Sequence, residues 1–220
     1  MRVLFSKGIA AISKPRCGST SLRRMLNPFM DPGAGDISVD IDDENPPFHP
    51  HITAPYLQEI LSERGPDVHL EYFVSVRHPL RMLESYYKFF VPDENSRYFY
   101  SPDYTGRRYG MSFEEWVLKG RVELAPDWER LAPEYITATD LTPLSLEAFA
   151  MCKDGSWATD HVFRIEEMDK IREWLSEKLG SEVEGKHVNR SEDMETPPLG
   201  SEALSKVRTM FPHESEIYGV

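Results

Sequence analysis

Two short segments of this sequence hold residue types suited to gripping a strong anion. The first is Lys14-Pro15-Arg16-Cys17-Gly18-Ser19-Thr20-Ser21. It follows the apolar run at 9–13 and precedes a stretch with Leu22 and Met25/Leu26 on one side, so it reads as a loop from strand to helix. The first N–H groups of a helix have no intrahelical partner, and the helix dipole adds positive potential to them. Gly18 lets the backbone approach an anion, Ser19, Thr20 and Ser21 add hydroxyl donors, and Lys14 brings a mobile point charge. The alternative is a plain strand–turn–helix corner with an outward-facing lysine. The nucleotide P-loop pattern is absent, because no Gly-Lys-Ser/Thr follows and the lysine precedes the glycine. That weakens a kinase or NTPase assignment.

The second segment is Arg77-His78-Pro79, with Ser85 eight residues after the arginine. Arg77 ends the β-branched and aromatic run 71–76, where a planar guanidinium can hold a phosphate through two parallel hydrogen bonds. Ser85 falls about two turns into the following helix and can donate to the same group. Taken singly, Arg77 would equally suit an ion pair with an acid and Ser85 an ordinary helix surface.

Together the two segments resemble the paired nucleotide-binding motifs of sulfotransferases that use 3′-phosphoadenosine 5′-phosphosulfate (PAPS). That family places a lysine ahead of a Gly-x-Thr-Ser turn, matched here by Lys14, Gly18, Thr20 and Ser21, and an Arg-x-Pro with a later Ser, matched by Arg77, Pro79 and Ser85. Pro50-His51-Ile52-Thr53-Ala54 is similar to a Lys-His-Ala-Thr-Ala segment of the carbohydrate-type branch. Phe163-Arg164-Ile165-Glu166, His187-Val188-Asn189-Arg190-Ser191 and Tyr218-Gly219 are similar to late segments of that branch. Two positions depart from the pattern: Ser19 stands where a second glycine is common, and Pro50 replaces the usual lysine, removing a cation that would dock an acidic acceptor there. Golgi members carry a membrane anchor, and this sequence shows none.

The resemblance implies transfer of a sulfuryl group from PAPS to a hydroxyl or amine of a carbohydrate or small-molecule acceptor, leaving adenosine 3′,5′-bisphosphate. Lys14, Arg16, Cys17, Gly18, Ser19, Thr20 and Ser21 would hold the 5′-phosphosulfate, with Lys14 on the bridging oxygen, where charge grows in the transition state. Arg77 and Ser85 would hold the 3′-phosphate. His51 is the candidate general base, with His49 as the alternative, since a histidine titrates near neutrality. Tyr98, Tyr104, Arg107, Arg108, His49 and Asn189 are candidates for the acceptor wall. No Cys/His cluster or EF-hand pattern is present, so no metal is expected. The rivals are a P-loop nucleotide kinase and a nucleotide- or glycan-binding relative without turnover.

The elements that would position these residues alternate strand and helix. Strands are expected at 9–13, 71–76 and 161–165. Helices are expected near 20–26, 55–63 with Thr53 as cap, 80–90, from a Ser112/Glu115 capping box through Trp116, 167–179 closed by Gly180, and beyond Gly200 with Leu204, Val207 and Met210 or Phe211 inward. The expected architecture is one α/β domain over 1–220. Its mostly parallel central sheet is flanked by helices and carries a P-loop-like phosphosulfate-binding strand–loop–helix, with loop insertions near 27–50 and 91–111. Trp116, Trp128, Trp157 and Trp174 are expected as core or interface anchors.

With 220 residues, 40% hydrophobic and 28% charged, the chain can bury a sizeable core. The formal net charge is −12, which disfavours nucleic acid and anionic membranes as partners. The acid excess is uneven: residues 1–110 hold 13 basic and 14 acidic groups, and 111–220 hold 12 and 23. Both anion-binding segments therefore lie in the near-neutral half, and the acidity disfavours only a long polyanionic acceptor. Two cysteines, no apolar leader and no run of 18 apolar residues point to the cytoplasm.

Overall fold

A computed structural model describes residues 1–30, 51–64, 67–89, 111–122, 131–185 and 198–220. Arg2–Leu4 (β1) pairs antiparallel with Ile9–Ile12 (β2). Glu71–Val76 (β3) lies parallel to β2, and His161–Arg164 (β4) parallel to β3. The described residues thus form an α/β fold around a four-stranded, mostly parallel sheet in the order β1-β2-β3-β4. The three longer strands are those expected from the sequence. β1 escapes that reading because three residues are too few to show a period.

Parallel neighbours need long crossover connections. Between β2 and β3 the chain forms Ser19–Leu26 (α1) and Ala54–Arg64 (α2). Between β3 and β4 come Pro79–Phe89 (α3), Phe113–Lys119 (α4) and Leu146–Ala150 (α5). Met168–Leu179 (α6), Ser201–Met210 (α7) and Pro212–Tyr218 (α8) follow β4. The predicted caps are present. Ser112 and Glu115 make the reciprocal capping box on α4, Gly180 closes α6 in the left-handed region, and the Thr53 hydroxyl accepts from the Tyr56 N–H at 3.4 Å.

The period-2 alternation of β3 sorts the helices onto two faces. Tyr72, Val74 and Val76 pack with Leu57 and Ile60 of α2 and with Leu146 and Phe149 of α5. Phe73 points the other way, among Leu22, Met25 and Leu26 of α1 and Ile171, Leu175 and Leu179 of α6. A third cluster is helix on helix, with Met82 and Leu83 of α3, Trp116 and Val117 of α4, and Val207 and Phe211 around α7 and α8. No helix among the described residues is long and apolar enough to cross a membrane.

Of the four tryptophans expected as core or interface anchors, Trp116 is fully buried, Trp174 is half-buried against Phe73, Trp157 is 44% exposed, which leaves it the interface alternative, and Trp128 lies outside the described residues. The C-terminal helical region differs from expectation in two respects. The inward face of α7 uses Ala203, Val207 and Met210, so Val207 and Met210 lie as expected while Leu204 is only half-buried at the margin of that face. The tail continues past Phe211 as a second helix, α8, started by Pro212 in its first turn.

Phe73 is fully buried, with ring centroids of Trp174 at 5.1 Å and Phe163 at 5.9 Å. Phe73→Ala is expected to cost about 3–5 kcal/mol of stability, read from urea denaturation.

Candidate anion-binding site

In open α/β sheets, ligands collect beyond the carboxyl ends of the parallel strands. The register pairs Ile12 with Val74, which brings the loop leaving β2 beside the residues leaving β3. Lys14 to Gly18 thereby lies next to Arg77 and the start of α3. The Ser75 hydroxyl pins the loop to β3 by donating to the Cys17 carbonyl at 2.5 Å. Cys17 itself is fully buried, and burial pushes its thiol pKa up.

The loop makes its turn with two left-handed residues, Arg16 at φ +60° and Gly18 at φ +78°. For Arg16 this conformation costs roughly 1–2 kcal/mol. At Gly18 a side chain is excluded twice over. Its φ suits glycine, and a Cβ would fall inside the Ile165 side chain just beyond β4. Gly18 is also the N-cap of α1 and, having no side chain, caps none of its N–H groups. Ser19, at the position where a second glycine was a concern, is not among the positive-φ residues. Of the three hydroxyl residues, Thr20 is half-buried, Ser19 is 9% exposed and Ser21 is 1% exposed.

The two segments read separately from the sequence are joined by a direct bond. Arg16 Nε donates to Ser85 Oγ of α3 at 3.0 Å, across 69 residues of sequence. By accepting this bond, Ser85 keeps its own O–H as a donor. Arg77 is half-buried immediately after β3, and its charge acts on both Cys17 and His78. Burial lowers the His78 pKa, and its ring meets that of Tyr218 edge-on at 5.4 Å. His78 is therefore a neutral packing residue next to the arginine.

Lys14 differs most from expectation. It was expected as a mobile cation, yet it is fully buried, with Nζ 3.2 Å from Glu214 Oε1, 3.2 Å from Met82 Sδ and 3.7 Å from Cys17 Sγ. Burial pushes the ammonium pKa down, but Cys17, Glu214 and Glu147 together outweigh it, so the pKa is raised. Burial also raises the Glu214 carboxyl pKa against the pull of Lys14, and the 3.2 Å approach of Nζ to Oε1 is what marks the two as partners. Glu214 was not anticipated from the sequence. A usable signal existed: Phe211, Glu214 and Tyr218 recur at helical spacing, which places this acid on the same face as two aromatic residues.

His51 Nδ1 lies 2.7 Å from the Ser13 carbonyl oxygen at the end of β2. A carbonyl only accepts, so Nδ1 carries the hydrogen and Nε2 is the basic nitrogen in the neutral ring. The late segments also converge on this edge. The Tyr218 hydroxyl is within hydrogen-bond reach of the Val76 carbonyl, at 3.2 Å, and of the Glu166 carboxylate. The Arg164 guanidinium lies over the Tyr218 ring at 5.1 Å, and burial pushes the phenol pKa strongly up. His49, Tyr98, Tyr104, Arg107, Arg108 and Asn189 lie outside the described residues, as do His187, Arg190 and Ser191. Among the described residues, no group of three or more His, Cys, Asp or Glu side chains is arranged to hold a metal.

The assembled edge offers a helix N-terminus, a turn with two left-handed residues, two arginines and a histidine. Such a set can hold a phosphate or sulfate ester and accept a proton beside it. Gly18→Ala is expected to cost about 1–3 kcal/mol. Combined with Ile165→Ala, it should be less destabilising than the two single losses added together. Denaturant titrations of the four proteins measure this coupling. A scan of protein-family models, a search of curated proteins and a search of solved structures each found no match to the chain.

Proposed function

We propose that this protein transfers a sulfuryl group from PAPS to a hydroxyl or amine of a carbohydrate or small-molecule acceptor. The observation that carries the proposal is the Arg16–Ser85 bond at the carboxyl ends of two adjacent parallel strands. It unites the loop expected to hold a 5′-phosphosulfate with the helix expected to hold a 3′-phosphate. A 3′-phosphate distinguishes PAPS from ordinary adenine nucleotides, so two coordinated anion grips are the feature that this donor requires.

Within this proposal the backbone N–H groups opening α1 and the Thr20 hydroxyl hold the 5′-phosphate. Arg16 orders Ser85 for the 3′-phosphate, and Arg77 supplies the charge. His51 Nε2 takes the proton from the acceptor as its oxygen or nitrogen attacks sulfur. In the same in-line displacement the S–O bond to the bisphosphate breaks, its electron pair leaving with the bridging oxygen, and Lys14 is the candidate cation for the charge left there. Displacement of this kind proceeds through a loose transition state, so positioning and charge stabilisation are the main protein contributions. The cytoplasm suits this chemistry and keeps Cys17 and Cys152, both free, as thiols.

Thermal-shift measurements with adenosine 3′,5′-bisphosphate, AMP and ATP–Mg²⁺ test the proposal. The bisphosphate is expected to stabilise most. Arg77→Ala should weaken it by about 10- to 100-fold, the equivalent of one charge-assisted bond of about 1.5–3 kcal/mol. Greater stabilisation by ATP–Mg²⁺ would instead favour a nucleotide kinase. Bisphosphate binding without consumption of PAPS across an acceptor panel would indicate a non-catalytic relative.

A further inference from the structure

The proposed donor site does not use the acid that faces its lysine. Glu214 and Lys14 are both fully shielded from solvent and meet at 3.2 Å. The other groups near Nζ, Met82 Sδ and Cys17 Sγ, are weak acceptors. Glu214 also sits on an element with little freedom. Phe211, at the start of α8, is fully buried, and Tyr218, at its end, reaches the Val76 carbonyl and Glu166. The lysine is the movable member of the pair, with its ammonium on a four-carbon stem.

We infer that Glu214 is a positioning residue for Lys14, holding its ammonium charged and parked at the end of β2 until a bound anion takes that ammonium over. The inference rests on the sulfotransferase proposal for the identity of the anion. The pairing itself does not. An ammonium buried without a carboxylate loses its charge compensation and favours the neutral amine. A neutral Lys14 could not stabilise charge on a leaving oxygen.

The groups that set this charge come from several elements. Cys17 faces Lys14 from the loop, Glu214 from α8 and Glu147 from α5, while Arg77 acts on Cys17 from beyond β3. Glu147 is also fully buried, and its Oε1 meets His213 Nδ1 at 2.5 Å. His213 is 37% exposed.

The test uses the full chain with lysine side chains labelled at Cε, the Lys14 signal being assigned by its loss in Lys14→Arg. In ligand-free wild type the midpoint of this signal is expected to lie above that of an ordinary lysine. In Glu214→Gln its midpoint should fall by at least about one unit, equivalent to a tenfold change, and Glu214→Asp should fall between the two. Calorimetry with adenosine 3′,5′-bisphosphate supplies the second readout. Affinity should vary little between about pH 7 and 9 in wild type. In Glu214→Gln it should weaken as pH rises, because the neutral fraction of Lys14 grows. The bisphosphate should also move the wild-type Lys14 signal.

An unchanged Lys14 titration in Glu214→Gln would overturn the inference, as would nucleotide binding that leaves the Lys14 signal in place. If Glu214→Gln does not fold, the intermediate titration expected of Glu214→Asp decides the matter. Failure of the wild type to bind bisphosphate would sink the donor assignment and the partner exchange. The ligand-free titration would still decide separately whether Glu214 holds the charge.

Discussion

The parallel pairing of β2 with β3 is the constraint from which the candidate site follows. Parallel strands emerge at the same edge, so the chain delivers its Lys14–Gly18 loop and its Arg77–Ser85 segment side by side despite the residues between them. The register is held from both faces. The alternating β3 side chains are committed to different helix layers, and a shift of one residue would turn Phe73 out of its aromatic cluster. The Ser75–Cys17 bond and the Ile165 contact on Gly18 then fix the loop against β3 and the end of β4.

Charge is handled unusually at this edge. Burying an ammonium and a carboxylate together strips water from both, and the attraction between them offsets that cost only when the geometry is good. Replacing such a pair with apolar residues is often neutral for stability, so a fully enclosed Lys14–Glu214 pair in the middle of a candidate anion site calls for an explanation beyond folding. A lysine already stripped of water, with its charge preserved, has little solvent to rearrange when a new anion arrives. This is the preorganisation that electrostatic catalysis relies on.

Much of the framework could be read from the residues because the signals were local. The Ser112–Glu115 box, the Gly180 stop and the β-branched run ending at Val76 each carry their meaning within a few positions. The site was legible only in part. Lys14, Gly18, Arg77 and Ser85 stood out by type and spacing. The Arg16–Ser85 bond, the inward turn of Lys14 and the role of Glu214 depend on residues that meet only in the folded chain. Glu214 sits among other acids in an acidic tail, and only its spacing from Phe211 and Tyr218 separates it from a solvated glutamate. The left-handed Arg16 had no local signature, since nothing in Pro-Arg-Cys-Gly demands it.

The contact between Gly18 and Ile165 bears on the order in which the molecule can fold. One side of the loop rests on residue 165, its lysine on residue 214, and the neighbouring strand end on residue 218. Each of these closures spans most of the chain, so each carries a large loop-closure entropy and forms late. During synthesis the first candidate anion-binding segment to leave the ribosome is therefore among the last to take its final shape, and it waits on α8. A nascent chain that has not yet released this helix can have its sheet in place and still have no site.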